Sequence, residues 1–209
     1  MRKPRKIETR DQQINDANQL AVTAWWLEFE STAQFRKLRS SLQHIMPFVA
    51  YVTMHYLFRR YARETHDCSC ITVQDVATFL VTTGPNNIVV DAPTMFVNAT
   101  ILWLQWLCQM HGRLLHAAAI EKCLRNIRQD AVNAMTSEHG SMSKELILRA
   151  RSAGIDLADN YEILRFFIER DPSCSNFYEE FLLPPHPIFS KGRKLYVHDW
   201  PPEKEHLEN

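Results

Sequence analysis

Residues 47–61 read PFVAYVTMHYLFRRY and are the strongest structural signal in this chain. Apolar side chains would cover almost the whole circumference of a helix built from them, so neighbouring elements must enclose that helix on several sides. Pro47 is expected in the first helical turn, where a backbone N–H has no partner in any case. The cations Arg59, Arg60 and Arg63 would then lie near the negative C-terminal end of the helix dipole. The stretch predicts an all-α fold, a compact bundle around one central helix.

The composition agrees with a helical protein and narrows the classes of function. The chain has 209 residues, 45% of them apolar, and only 5 glycines. That is too few glycines for the many tight turns of a β-rich fold. Neither of the phosphate-binding motifs GxGxxG and GxxxxGK[ST] occurs in it. Lys and Arg together number 24, as do Asp and Glu, and this balance disfavours a dedicated nucleic-acid binder.

The hydrophobic pattern divides the chain into four regions and predicts about seven or eight helices. We expect a disordered basic tail over residues 1–15 and a main helical domain over 16–136. A smaller helical subdomain over 141–183 should pack on the main domain, and an irregular tail should follow over 184–209.

Capping residues, glycine and proline set the expected helix ends within the main domain. Thr72 and Asp75 have the spacing of a capping box at a helix start. The segment 82–87, TTGPNN, should stop that helix, because Gly and Pro interrupt helical structure. Gly112 should separate an apolar helix before it from an amphipathic helix over 113–135.

The N-terminus carries a cluster of positive charge. Its first ten residues hold Arg2, Lys3, Arg5, Lys6 and Arg10 against one acid, Glu8. Such a tip could contact nucleic acid, an acidic protein or an import receptor, and the candidate nucleic-acid contacts are Arg2, Lys3, Arg5 and Lys6. The plainer interpretation is a solvated, disordered terminus.

Cysteine usage and apolar runs indicate where the protein works. Five cysteines, an odd number, in a chain without a hydrophobic leader favour a reducing compartment, cytoplasmic or nuclear. The most membrane-like run, Met95 to Met110, is about 16 residues long and contains Asn98 and Gln105, whereas a spanning helix needs roughly 20. We expect a buried core helix there and no membrane association.

Candidate chemistry is sparse. Cys68 and Cys70 beside His66 are residue types that bind zinc, and Cys108 with His111 could complete a tetrahedral shell. A second closely spaced pair is missing, however, and a cysteine inside an apolar helix is commonly a small buried hydrophobe. The sequence therefore predicts no catalytic residue, no cofactor and no metal. An enzyme with a Cys/His site is kept as an alternative.

Tryptophans supply the best candidates for partner binding, because they are frequent anchors of protein interfaces. Trp25 with Trp26, and Trp103 with Trp106, each point in two directions around a helix, so one member of each pair could reach the surface. The candidate partner-binding residues are Trp25, Trp26, Arg59, Arg60, Trp103, Trp106, Tyr196 and Trp200. Core packing is the alternative for the tryptophans, and packing back onto the domain is favoured for the aromatic tail.

The layout of one region suggests a family. Bulky apolar residues precede Met46, and residues 58–61, FRRY, end the next predicted helix. Residues 76–80, VATFL, and 89–97 start two further predicted helices. In this order of elements the region 44–100 resembles the first cyclin box of the transcriptional cyclins of the C and H types.

The resemblance implies a five-helix domain and a regulatory subunit whose partner is a kinase or a transcription complex. The chain departs from the family at residues 81–85, VTTGP, where kinase-binding cyclins usually carry a Lys followed shortly by a Glu. The function we expect is a non-enzymatic helical protein-interaction subunit, adaptor or regulatory. A transcription-type factor that contacts nucleic acid through the basic N-terminus is the alternative.

Overall fold

A computed structural model describes residues 10–58, 67–90, 92–137 and 142–155, together with 165, 166 and 169. Regular structure in this part of the chain is helical, which confirms the predicted all-α fold. The α-helices are α1 (Arg10–Ser31), α2 (Ala33–Arg36), α3 (Ser40–Val52), α4 (Val73–Thr78), α5 (Gly84–Asn87), α6 (Pro93–Gln109), α7 (Ala117–Asn126), α8 (Arg128–Thr136) and α9 (Met142–Ser152). Two π-helical segments, Thr53–Phe58 and Phe79–Thr83, continue α3 and join α4 to α5. No helix among the described residues combines the length and apolar character needed to cross a bilayer.

The central helix is enclosed as predicted. Every side chain from Ile45 to Met54 is buried, as are Leu57 and Phe58, while His55 and Tyr56 are half-buried. Neighbours that contact this helix and its π-helical continuation include α1 and α6. Since apolar burial stabilises by about 25 cal/mol per Å², this enclosure is a main source of the fold's stability.

Pro47 corrects one detail of that prediction. It lies inside α3, which begins at Ser40, and not in a first turn. Proline has no N–H to donate to the carbonyl of Gln43, and in a helix interior it costs about 3 kcal/mol. The buried side chains on both sides of Pro47 explain why α3 continues through it despite that cost.

The first helix begins earlier than expected. α1 starts at Arg10, so residues 10–15, predicted to belong to a disordered tail, are helical. Gln12 and Gln13 are good helix formers, and no glycine or proline interrupts the approach to the apolar positions that follow. Residues 1–9 lie outside the described part of the chain.

The capping box at the start of α4 is confirmed. The Thr72 hydroxyl accepts the N–H of Asp75, and the Asp75 carboxylate accepts the N–H of Thr72 at 2.7 Å. The segment 82–87, predicted to stop this helix, is itself helical, and the helix ends only at its last residue, Asn87. At Gly84 a Cβ would lie 2.8 Å from the carbonyl oxygen of Phe79. Glycine thus permits the wide π-helical turn through which the helix accommodates Pro85.

Gly112 separates two helices as expected. Its φ of 79° is the left-handed conformation that favours glycine. The predicted single helix over 113–135 is wrong in two places, however. Residues 113–116 form a turn, and the helix that follows is interrupted at Ile127 between α7 and α8. The buried stripe of Ile120, Leu124 and Ala131 nevertheless faces the core as its spacing predicted.

α9 belongs to a second, smaller apolar cluster. Ile147 and Ala150 of α9 pack there with Val89 and Phe166. Val89 lies in the connection before α6, so α9 is held against the main part of the chain. The predicted subdomain over 141–183 stays a prediction because most of residues 156–183 lie outside the described part. The same holds for the predicted irregular tail over 184–209.

Thr53 provides a test of the core. Its hydroxyl accepts the indole N–H of Trp103 at 3.0 Å, and both residues are fully buried. Thr53→Val keeps the shape of the side chain but leaves the buried indole N–H without an acceptor. We therefore expect a loss of about 1–3 kcal/mol in the free energy of unfolding. Urea unfolding measures it.

Thr100→Val is the matched control for this experiment. Thr100 is equally buried, but its hydroxyl only donates to the Phe96 carbonyl of its own helix at 2.9 Å. Removal of the Thr100 hydroxyl leaves no buried donor without an acceptor, so the loss in the free energy of unfolding should be clearly smaller than for Thr53→Val. Equal losses for the two variants would contradict the role assigned to the Thr53 hydroxyl.

Candidate interaction surface

The predicted partner-binding tryptophans divide between core and surface. Trp26, Trp103 and Trp106 are buried, so direct partner contact by these three rings is excluded in this conformation. The physical reason is aromatic packing: the Trp103 and Trp106 rings stack 5.5 Å apart, and Phe29 lies 4.9 Å from Trp106. Trp25 is half-buried and keeps an edge at the surface. Of these four rings, Trp25 is the remaining candidate for partner contact.

The other candidate residues named from the sequence lie outside the described part of the chain. They are the partner-binding candidates Arg59, Arg60, Tyr196 and Trp200 and the nucleic-acid candidates Arg2, Lys3, Arg5 and Lys6. Their roles stay predictions.

Trp25 belongs to a cluster around Arg113. The Arg113 guanidinium carbon lies 4.7 Å from the ring centre of Trp106 and 5.9 Å from that of Trp25. The Nη2 of Arg113 donates a hydrogen bond to the carboxylate of Glu28, which lies one α-helical turn beyond Trp25. Trp25 also meets Phe58 edge-on at 5.8 Å. The cluster therefore connects α1, the π-helical end of the central helix and the turn after α6.

The turn at Gly112 places Arg113 in this cluster. α6 ends at Gln109, and the left-handed Gly112 reverses the chain so that the Arg113 N–H donates to the carbonyl of Met110 at 3.3 Å. The Arg113 side chain is 14% exposed, and its Nη1 is buried without an acceptor among the described residues. Besides the ion pair with Glu28, the guanidinium contacts two indole rings, in the manner of a cation over aromatic rings. Sequence reasoning missed Arg113 because it assigned the residue to a helix.

The outer face of α1 is the second surface feature. Leu20 and Leu27 are 72% and 41% exposed, and Ala17, one turn before Leu20, and Ala24, between the two leucines, are exposed as well. We call these four residues the α1 stripe. On the opposite face, Val22, Trp26 and Phe29 are buried, as is Asn18, whose side-chain oxygen accepts the Cys68 N–H at 3.1 Å.

The α1 stripe lies on the face of the helix opposite the buried one. Leu20 and Leu27 fit the helical periodicity of this region but are exposed. They lie two turns apart and share one face, whereas the buried set is centred on Val22 and Trp26, on the other side. A helix apolar on both faces gives no clear amphipathic signal, so the sequence pattern could not show which face is buried.

Burial keeps several cysteine thiols protonated, including two of the candidate zinc and thiol site, and this makes them weak nucleophiles. Burial, and then the nearby Asp67 carboxylate, raises the pKa of Cys68 from 9.0 to about 12. Burial and then Glu121 raise the pKa of Cys108 to about 11. Burial also raises the pKa of Cys123. Thiols with such pKa values carry almost no thiolate at neutral pH.

The geometry does not bring together a metal shell from these residue types. Among the described residues no three Cys, His, Asp or Glu side chains converge as metal ligands. Cys68 is buried beside α1, whereas Cys108 and His111 lie at the end of α6 and just after it. Whether His66 approaches them lies outside the described residues.

The cavities on the described part of the molecule include one near α3 and one near α9. One of about 440 Å³ lies between the starts of α3 and α6 and is lined by residues that include Arg39, Ser41 and Asn98. Another of about 210 Å³ lies beside α9 and includes Lys144 and Arg151; burial lowers the pKa of Lys144. No carboxylate, histidine or thiol is among the lining residues described for either cavity. Neither cavity therefore pairs a nucleophile with a base.

Comparisons with known proteins give no family for this chain. Neither a scan of protein-family models nor searches of the curated proteins and of the solved structures finds a match. Function must therefore be inferred from the surface of the chain itself.

The Arg113 cluster predicts unequal effects for the two ends of its ion pair. Arg113→Ala removes the cation and the stem that cover the two indole rings, so we expect a loss of about 1–2 kcal/mol in stability. Glu28→Gln keeps an acceptor on a side chain that is 48% exposed, so its loss should stay below about 0.5 kcal/mol. Urea unfolding compares the two variants. Equal losses would show that the ion pair, and not the aromatic contact, holds Arg113.

The thiol of Cys68 predicts a loss of stability at alkaline pH. Below pH 9.0 this thiol is protonated in the folded and unfolded states alike; above it only the unfolded thiol ionises, until the folded pKa of about 12 is reached. The free energy of unfolding should therefore fall as pH rises through this interval, by up to about 1.4 kcal/mol per pH unit for one thiol.

Two variants isolate this contribution from the other groups that titrate at high pH. Cys68→Ala should make the alkaline loss of stability shallower than in the wild type. Ile71→Val, a change at a neighbouring buried position without an ionisable group, should keep the wild-type slope. The interpretation fails if Cys68→Ala leaves the slope unchanged.

Proposed function

We propose that the protein is a non-enzymatic adaptor or regulatory subunit that binds another protein through α1. The observation that carries this proposal is the α1 stripe, with leucines 72% and 41% exposed on a helix whose other face is buried in the core. Contiguous apolar side chains at the surface commonly mark interaction sites. The half-buried Trp25 and the Arg113 cluster extend the candidate surface along one edge of α1.

The stripe cannot be buried by a simple rotation of α1. Trp26 and Phe29 lie in the central aromatic cluster, and Trp26 meets Trp103 at 6.2 Å. Turning Leu20 and Leu27 inward would expose these rings, which costs more apolar burial than it gains. Rotation of α1 therefore offers no way to bury the exposed leucines, as expected of an interaction surface.

The alternative of a Cys/His enzyme finds little support in the described thiols. The pKa of Cys68 is about 12 and that of Cys108 about 11, whereas catalytic thiols have lowered pKa values and an adjacent base. We also propose a reducing intracellular compartment for the protein, because the four described cysteines are unpaired.

A cyclin-like regulator is the most specific form of this proposal. Its support is the sequence layout of residues 44–100, in which a buried helix is followed by α4 and α6. The partner would then be a kinase or a transcription complex. The missing Lys and Glu near residues 81–85 count against a standard kinase contact. Direct binding of the full chain to a panel of purified kinases tests this form.

The stripe itself is tested by charge substitution. Leu20→Asp with Leu27→Asp should leave the fold intact, because both side chains face solvent. It should reduce the recovery of bound proteins from cell extract by about tenfold or more, since an aspartate in an apolar contact costs more than about 1.4 kcal/mol. Quantitative mass spectrometry of the captured proteins measures the change.

Leu115→Asp is the matched control. Leu115 is 69% exposed, but it lies in the turn before α7 and does not belong to the α1 stripe. Its substitution should leave recovery unchanged. If no captured protein depends on Leu20 and Leu27, the proposed role of α1 is wrong.

A further inference from the structure

We propose that the partner segment bound by the α1 stripe is an amphipathic helix with basic residues beside its apolar face. This inference rests on the proposed role of α1 in binding a partner and adds the chemistry of that partner. Three properties of the stripe support it: the spacing of its residues, its length and the charges that border it.

The spacing fits a helix pair. Ala17, Leu20, Ala24 and Leu27 follow one another at three, four and three residues, the a and d positions of a heptad seam. Leucines alternate with alanines, so a second helix can bring its own leucines over the alanines as knobs into holes. The occupant that matches this surface is an α-helix with apolar residues at the same period.

The length of the α1 stripe indicates that the bound partner segment is short. From Ala17 to Leu27 the helix rises about 15 Å at 1.5 Å per residue. Two leucines and two alanines offer much less than the roughly 800 Å² per partner that a stable interface between folded proteins usually buries. A single partner helix of a few turns is therefore the natural occupant, with further contacts available at the edge near Trp25.

Charge selects the chemistry of that helix. After Arg10, the charged residues of α1 are Asp11, Asp16, Glu28 and Glu30, all of them acidic. Asp16 lies one turn before Leu20 and Glu28 one turn after Ala24, so the two carboxylates border the stripe on opposite sides. Arg113 offsets the charge of Glu28 from the side of the molecule, while Asp16 is exposed. A partner with lysine or arginine beside its seam complements this border.

The same charges disfavour a second copy of this chain. In an antiparallel pair that sets Leu20 against Ala24 of the other copy, Asp16 would lie beside Glu30 of the other copy, on the same side of the seam. In a parallel pair Asp16 would meet Ala21, and no basic residue of α1 beyond Arg10 could pair with it. A second copy therefore leaves these acidic charges uncompensated or sets like charges together. The observations therefore favour a basic helix from a different protein.

Two synthetic helices distinguish these possibilities on the full-length chain. Each has about 20 residues, enough for a helix in water, with leucine at a and d and alanine elsewhere. One carries lysine and the other glutamate at the flanking e and g positions. Fluorescence anisotropy of labelled peptides measures both dissociation constants at low and at physiological ionic strength.

We expect the lysine helix to bind roughly tenfold more tightly than the glutamate helix. This preference should shrink when salt is added, because the border charges are exposed to solvent. Asp16→Lys should reduce the preference, Leu20→Asp with Leu27→Asp should abolish binding of both helices, and Leu115→Asp should change nothing. Circular dichroism verifies that the variants keep their helix content.

Three results would overturn the inference. Equal binding of both helices would show that charge does not select the partner. Binding that survives the Leu20 and Leu27 substitutions would place the contact elsewhere on the molecule. A dimer in sedimentation velocity that these substitutions dissolve would identify a second copy as the occupant. If cellular partners still depend on the stripe while the lysine helix fails, the chemistry is wrong and the proposed function of α1 stands.

Discussion

The enclosure of the central helix constrains the rest of the molecule. Almost every side chain from Ile45 to Phe58 is buried, so this segment contributes mainly to the core and little to the surface. The buried hydrogen bond from Trp103 to Thr53 fixes α6 against it at one point, and a polar pair in an apolar interior tolerates little displacement. Once α3 and α6 are fixed in this way, the remaining helices must pack on the apolar surface of this pair that is still exposed.

α1 performs this covering with one face and is left with a second apolar face. Trp26 and Phe29 close the aromatic cluster, and Leu20 and Leu27 then point to water. The Arg113 cluster lies at the boundary between the buried and the exposed face of α1, because its guanidinium contacts both the buried Trp106 and the half-buried Trp25. The core thus determines which part of α1 is available to a partner.

Much of the fold could be predicted from the sequence, and the failures have physical causes. The apolar run before residue 60 and the capping box at Thr72 are strong local signals, and both were confirmed. The segment 82–87, predicted to stop a helix, is itself helical up to its last residue, Asn87, because a π-helical turn accommodates the glycine and proline there. The surface was predicted less well. Tryptophans have the same local pattern in a core and at an interface, and only tertiary packing separated Trp25 from Trp26.

The way α1 is held also bears on how it would bind. A helix that folds only on binding must lose backbone entropy at that moment, whereas α1 is ordered already by the aromatic cluster on its inner face. The cost of association then lies mainly with the partner segment and with the few exposed side chains that become fixed. A short seam can for this reason support a specific complex, and the charges beside the seam can select among helices of similar apolar content.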